Sequence, residues 1–107
     1  MIHHKNNNLT KALEDITLAI NLNDEVDYIK QRIMYLMENE QCDKAIEDVN
    51  YLLRFGGQSP KQTAEFCNDR GDAYLQLGQK TKACLDWKKS TNLQRDENIV
   101  VKIKQWN

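Results

Sequence analysis

The sequence predicts an all-α protein built from repeated helix pairs, and three observations carry that prediction. First, Ala12, Ala45 and Ala83 open one recurring pattern. A bulky apolar residue follows each at the fourth place (Ile16, Val49, Trp87), and a small or apolar one at the seventh or eighth (Ala19/Ile20, Leu52/Leu53, Ser90). The tenth place closes each copy with Leu22, Phe55 or Leu93. Spacings of four, seven and eight share one helical face, and the alanine lets a second helix approach closely. Second, the copies recur at intervals of 33 and 38 residues, as in an array whose units bury their apolar faces against neighbours. Third, 107 residues contain one Pro and four Gly, and no segment sustains the period-two alternation of a half-buried strand.

The elements follow in order. Leu9 to Leu22 reads as a helix with Thr10 as its cap, ended by the turn-forming Asn and Asp of residues 21–24. A second helix is predicted over Val26 to Glu38, with Ile29, Ile33, Leu36 and Met37 on its apolar side. Asn39, Glu40 and Gln41 turn the chain into a third helix, about Asp43 to Arg54. Gly56 and Gly57 suit a left-handed helix stop, and Pro60 cannot continue the helix behind it. This enlarged loop accounts for the longer interval. A fourth helix is expected from about Lys61 to Leu77, stopping at Gly78. A fifth covers about Lys80 to Leu93, with Ala83, Trp87 and Leu93 inward. A sixth, about Glu97 to Gln105, places Ile99, Val100, Ile103 and Trp106 on one side and Lys102 and Lys104 outside. It would cover apolar surface at the end of the stack.

Composition narrows the function. The net charge of −1 argues against a generic nucleic-acid binder, which needs a basic face to release phosphate counterions. The charge is split, however: residues 1–78 carry 8 Lys/Arg against 13 Asp/Glu, while residues 79–107 carry 7 against 3. Such asymmetry suits head-to-tail attraction between chains, or an acidic groove for a basic ligand. Cys42, Cys67 and Cys84 have neither metal-ligand spacing nor an even count, so buried free thiols in a reducing, cytoplasmic setting are expected. No apolar run is long enough for a membrane span. The only histidines, His3 and His4, fall in a polar terminus with no placed partner. The paired acids Glu14–Asp15 and Glu47–Asp48 sit on outward faces, where charge serves solvation. No nucleophile, phosphate loop or metal cluster appears, so neither enzyme activity nor a cofactor is expected.

The segment from Ala64 to Leu93, AEFCNDRGDAYLQLGQKTKACLDWKKSTNL, resembles one tetratricopeptide repeat (TPR), and is similar to the closing repeats of many bacterial TPR proteins. Gly71 and Tyr74 match the glycine and aromatic of the family's first helix. Gly78 matches its turn, and Ala83 and Trp87 the packing residues of its second helix. The middle copy matches at Ala45, Val49, Leu52 and Phe55, with Leu36 in the place of Tyr74. It departs at Ile33 and Glu40, which stand where the helix and turn glycines should be. The first copy keeps its second helix, with Asn7 to supply the turn and only residues 1–5 left of the first. The resemblance implies about two and a half repeats of an α-solenoid, a right-handed superhelical stack of antiparallel helix pairs with a C-terminal capping helix. The divisions are residues 1–24 (partial repeat), 26–55 (repeat), 56–62 (enlarged loop), 63–95 (repeat) and 97–107 (cap). The missing first helix should leave a sticky face before Ala12.

In TPR proteins the first helix of each pair lines a concave groove that takes extended or helical peptides. Carried over, that role falls on Asp27, Lys30, Met34, Met37 and Glu38 in the middle repeat, and on Glu65, Asn68, Asp72, Leu75 and Gln76 in the third. Acids outnumber the single lysine of this face, which favours a basic or amphipathic ligand. The methionines offer adaptable apolar contacts. One TPR subclass clamps the C-terminal carboxylate of chaperones with Lys, Arg and Asn. The matching places here hold Asp27, Gln31, Glu65 and Asp69, and acids repel a carboxylate. The expected function is a non-catalytic protein-interaction module. The alternative is a structural segment that associates with itself, as a homo-oligomer through the incomplete repeat, or stacks on further repeats of a longer chain.

Overall fold

Six α-helices follow one another in the computed structural model, which describes the backbone of residues 2–22, 26–55 and 59–106, and the side chains of 9–20, 26–55 and 59–106. They are α1 (Ile2–Leu22), α2 (Val26–Glu38), α3 (Cys42–Phe55), α4 (Pro60–Gln76), α5 (Lys80–Leu93) and α6 (Glu97–Trp106). Each helix packs on the next, as a one-dimensional stack requires. Gly56 and Gly57, Asn23 and Asp24 lie outside the described residues.

The start of α1 corrects the sequence reading. The helix runs unbroken from Ile2, so Thr10 is an interior residue and Asn7 makes no turn. Asparagine costs only a few tenths of a kcal/mol in a helix, while extending an existing helix adds a hydrogen bond per residue, and no Gly or Pro interrupts this stretch. Among the described side chains of α1, Leu9 and Ile16 are buried and Leu18 is a large apolar residue left exposed.

The alanine pattern packs as its spacing demands in its second and third copies, with Ala45 and Ala83 fully buried beside Val49 and Trp87; in the first copy Ile16 is buried and Ala12 only half-buried. The middle core joins Ile29, Ile33 and Leu36 of α2 to Ala45, Val49 and Leu52 of α3 and Phe66 of α4. The C-terminal core sets Ala83, Cys84 and Trp87 against Ile99, with Tyr74, Leu75, Ile103 and Trp106 at its edge. Ser90, also fully buried, donates its hydroxyl proton to the Ala64 carbonyl at 2.7 Å. The tenth position fails as a packing position in the second and third copies, where Phe55 is 65% exposed and Leu93 45%; the Leu22 side chain lies outside the described residues. Ten residues rotate a side chain about 80° off the alanine's direction, at a helix end where no neighbour continues.

Two turns repeat one geometry 38 residues apart. Gly78 has φ +79° and Gln79 N–H reaches back to the Tyr74 carbonyl; Glu40 has φ +60° and Gln41 N–H reaches the Leu36 carbonyl. The left-handed residue is glycine in one copy and glutamate in the other. Ser59 caps α4, accepting from Gln62 N–H while the Gln62 side chain accepts from Ser59 N–H, and Pro60 occupies the first helical position.

Candidate functional site

The first helices of the pairs, α2 and α4, come together with α6 along one side of the stack. Lys30 of α2 lies 3.9 Å from Glu65 of α4, and Lys102 of α6 reaches Asn68 and Asp72 of α4 at 2.7 and 2.8 Å. Asp27, Met34 and Glu65 are exposed. Acids three, four and seven residues apart on α4 (Glu65, Asp69, Asp72) share a helix face.

Lys102 does not point outside. Its ammonium donates to Asn68 and Asp72 and stands 5.2 Å from the centre of the Trp87 ring, whose Nε1–H also donates to Asp72 at 3.1 Å. The spacing of Ile99, Lys102 and Trp106 (three, then four) put Lys102 on the inward face all along; its charge argued the other way. Asp69, between Glu65 and Lys102 in this surface, has its carboxyl pushed up to about 6. Burial is the main cause, followed by repulsion from Asp72 and Glu65, with Lys102 and Lys30 opposing.

Two further polar contacts escaped the sequence reading and belong to the repeat itself. Arg32 grips Asp48 through Nε and Nη2, both at 2.7 Å, and Arg70 grips Asp86 in the same fork at 2.8 Å. Both pairs are 16 residues apart, and the second lies 38 residues after the first. That double coincidence was the available signal. Arg70 also donates to Asn50 of the preceding pair at 2.7 Å. The hydrogen bonds with Asp86 raise the guanidinium's pKa above its ordinary value.

Among solved structures, the TPR2AB domain of yeast Sti1, in a complex with pHSP90, matches this chain with a TM-score of 0.76 at 22% identity, over 95% of this chain and 43% of that one. The fold is that of a TPR array. Neither a family model nor a curated protein sequence matches it, so the likeness rests on shape. The chain spans less than half the length of the Sti1 chain.

Within the TPR frame, the ten residues assigned from sequence divide. Lys30 meets Glu65, and Asn68 and Asp72 are joined by Lys102, with Asp27 and Met34 exposed on α2. Met37 packs between the middle core and the small cluster of Cys42, Ile46 and Ala73, and Leu75 packs on the C-terminal core. Gln76 turns to α3, accepting from the buried Cys42 thiol at 3.0 Å. Glu38 is the last, exposed residue of α2. These four are set apart from the acidic row by packing or position. All three cysteines are buried and free, and burial raises the pKa of Cys42 and Cys67. Among the described residues no acid, Cys and His cluster could hold a metal, and no helix is long and apolar enough to cross a membrane.

Proposed function

We propose that this TPR array is a non-catalytic protein-interaction module that takes a basic or amphipathic peptide across the surface of α2 and α4. The row Asp27, Glu65, Asp69 and Asp72 carries the reading. Lys30 and Lys102 lie against Glu65 and Asp72, which leaves Asp69, its carboxyl raised by burial and by like charge, as the group that a ligand's cation would relieve most. Met34, 64% exposed beside the row, supplies the apolar contact an amphipathic ligand needs. The Sti1 neighbour, in a complex with pHSP90, supports protein binding as the general use of the fold. Acids at Asp27, Glu65 and Asp69 set the charge here against a carboxylate terminus.

A displayed library of random peptides, selected on the full chain, tests this. Enrichment of Lys/Arg-containing amphipathic peptides is expected, with binding about tenfold weaker to the Glu65→Lys variant and to Asp27→Lys. Both side chains are exposed, so folding is retained. Enrichment of acidic peptides, or basic peptides that bind both variants as well as the parent, overturns it.

A further inference from the structure

A second surface, away from the acidic row, carries its own reading. Between α1 and the α2–α3 hairpin lies an open groove with a volume of about 820 Å³. Leu13, Leu18 and Leu36 make its apolar lining, with Glu14 on the α1 side and Glu47 on the α3 side. Arg32, also lining it, is held in the fork with Asp48, and Lys44 contributes the remaining positive charge. Leu18 is 61% exposed there. Leu36 is buried and Leu13 half-buried, so Leu18 is the leucine that meets water in this acid-rimmed groove, at a cost unless something covers it.

The chain itself presents a surface of matching chemistry. The outward side of α5 carries Lys82, Leu85, Lys88 and Lys89, at helical spacings of three, four and seven, all exposed, with Leu85 at 58%. The helix's single acid, Asp86, is buried beneath them in its pair with Arg70. The result is one apolar knob flanked by lysines, within residues 79–107, whose charge balance is +4, while the groove belongs to residues 1–78, whose balance is −5. We infer that a second copy of the chain seats its α5 face in this groove, Leu85 among the three leucines and Lys88 and Lys89 against Glu14 and Glu47. Apolar burial supplies the affinity, and the charges set orientation and encounter rate. Groove and knob are different surfaces of one molecule. The contact is therefore heterologous, and copies add head to tail.

Sedimentation velocity on the intact chain, from micromolar to near-millimolar, reads the outcome. The wild type is expected to grow with concentration and to shrink about tenfold in association constant when salt rises to about 0.5 M. Two exposed-surface variants separate the halves: Glu14→Lys/Glu47→Lys spoils the groove, and Lys88→Glu/Lys89→Glu spoils the knob. Each alone is expected to be monomeric. Mixed in equal amounts they are expected to recover concentration-dependent growth, because the unaltered knob of one fits the unaltered groove of the other and the two reversed surfaces attract each other as well. Leu85→Ser, which alters no charge, should also leave a monomer. A wild type that stays monomeric throughout gives the groove to another occupant and overturns the inference, as does association that survives both charge reversals or a mixture that fails to pair. None of these variants touches Asp27, Glu65 or Asp69, so failure here leaves the peptide-binding reading standing.

Discussion

Replacing Gly71 by alanine places a methyl group in a space that is already occupied. A Cβ built on Gly71 would lie 2.5 Å from Trp87 Nε1, 2.6 Å from Trp87 Cδ1 and 3.1 Å from the Ala83 carbonyl oxygen. Ordinary contact begins about 1 Å further out, so the indole must shift by roughly that amount in an interior packed at crystal density. It has little freedom to do so: the ring is fully buried, its Nε1–H is bonded to Asp72, and Lys102 stands over its face. Overpacking of this kind costs about 1–3 kcal/mol, and weakening the indole hydrogen bond adds about 1. The better helix propensity of alanine returns a little under 1. The expected net loss is about 2 kcal/mol, or a fall in melting temperature of roughly 10 °C. Thermal and urea unfolding, followed by circular dichroism and tryptophan fluorescence, measure it. The same substitution made in a Trp87→Leu background should cost nothing or stabilise slightly, because the clashing atoms are gone. An equal cost in both backgrounds refutes the packing account.

Three other outcomes are expected. Glu40→Gly should stabilise the protein by about 0.5–1 kcal/mol in urea unfolding, since the left-handed backbone at φ +60° strains every residue with a Cβ and Gly78 already fills the equivalent turn; an unchanged or lower midpoint counts against this. Asp69 binds its proton more tightly folded (about 6) than in its ordinary state (3.8), so between those values the native chain holds more protons than the unfolded one, and stability falls as pH rises through that window. The loss above pH 6 is up to about 3 kcal/mol; Asp69→Asn should abolish that slope and be the more stable protein at pH 7, whereas parallel pH curves for the two would exclude the assignment. Asp86→Ala should cost about 2–4 kcal/mol by stranding the Arg70 guanidinium, and Asp48→Ala clearly less, because side-chain exposure is 16% and 6% in the Arg70–Asp86 pair but 23% and 13% in Arg32–Asp48; chemical denaturation of the two variants side by side decides it.

The fold was legible because packing leaves a periodic mark on sequence. Three alanines and their fourth-place partners set the register of α1, α3 and α5, and the register placed α2 and α4 between them, and α6 after them, to within a residue or two. Even the departures from the TPR pattern make sense in volume. Ile33 fills the place of Gly71 where Val49 fills that of Trp87, so the middle repeat trades a glycine and an indole for two branched aliphatics, all four buried. What sequence did not show was direction within a polar residue's reach. Lys102, Gln76 and the two arginines carry long side chains whose polarity predicts water, while their actual ends meet carboxylates, a thiol or an amide on another helix. The helical start of α1 was missed for a related reason: polar residues near a terminus say little when neither Gly nor Pro interrupts them.

Lys102 has a consequence for occupancy. Its ammonium, held by Asn68 and Asp72 over the indole of Trp87, is a tethered resident of the surface that an outside cation would seek. At that end an incoming lysine meets a competitor at very high effective concentration, fixed by α6 and never lost to dilution. At the other end the nearest cation, Lys30, approaches only Glu65, at 3.9 Å. On the peptide-binding proposal, the last helix would act as a stop that fixes where along the row a guest can begin.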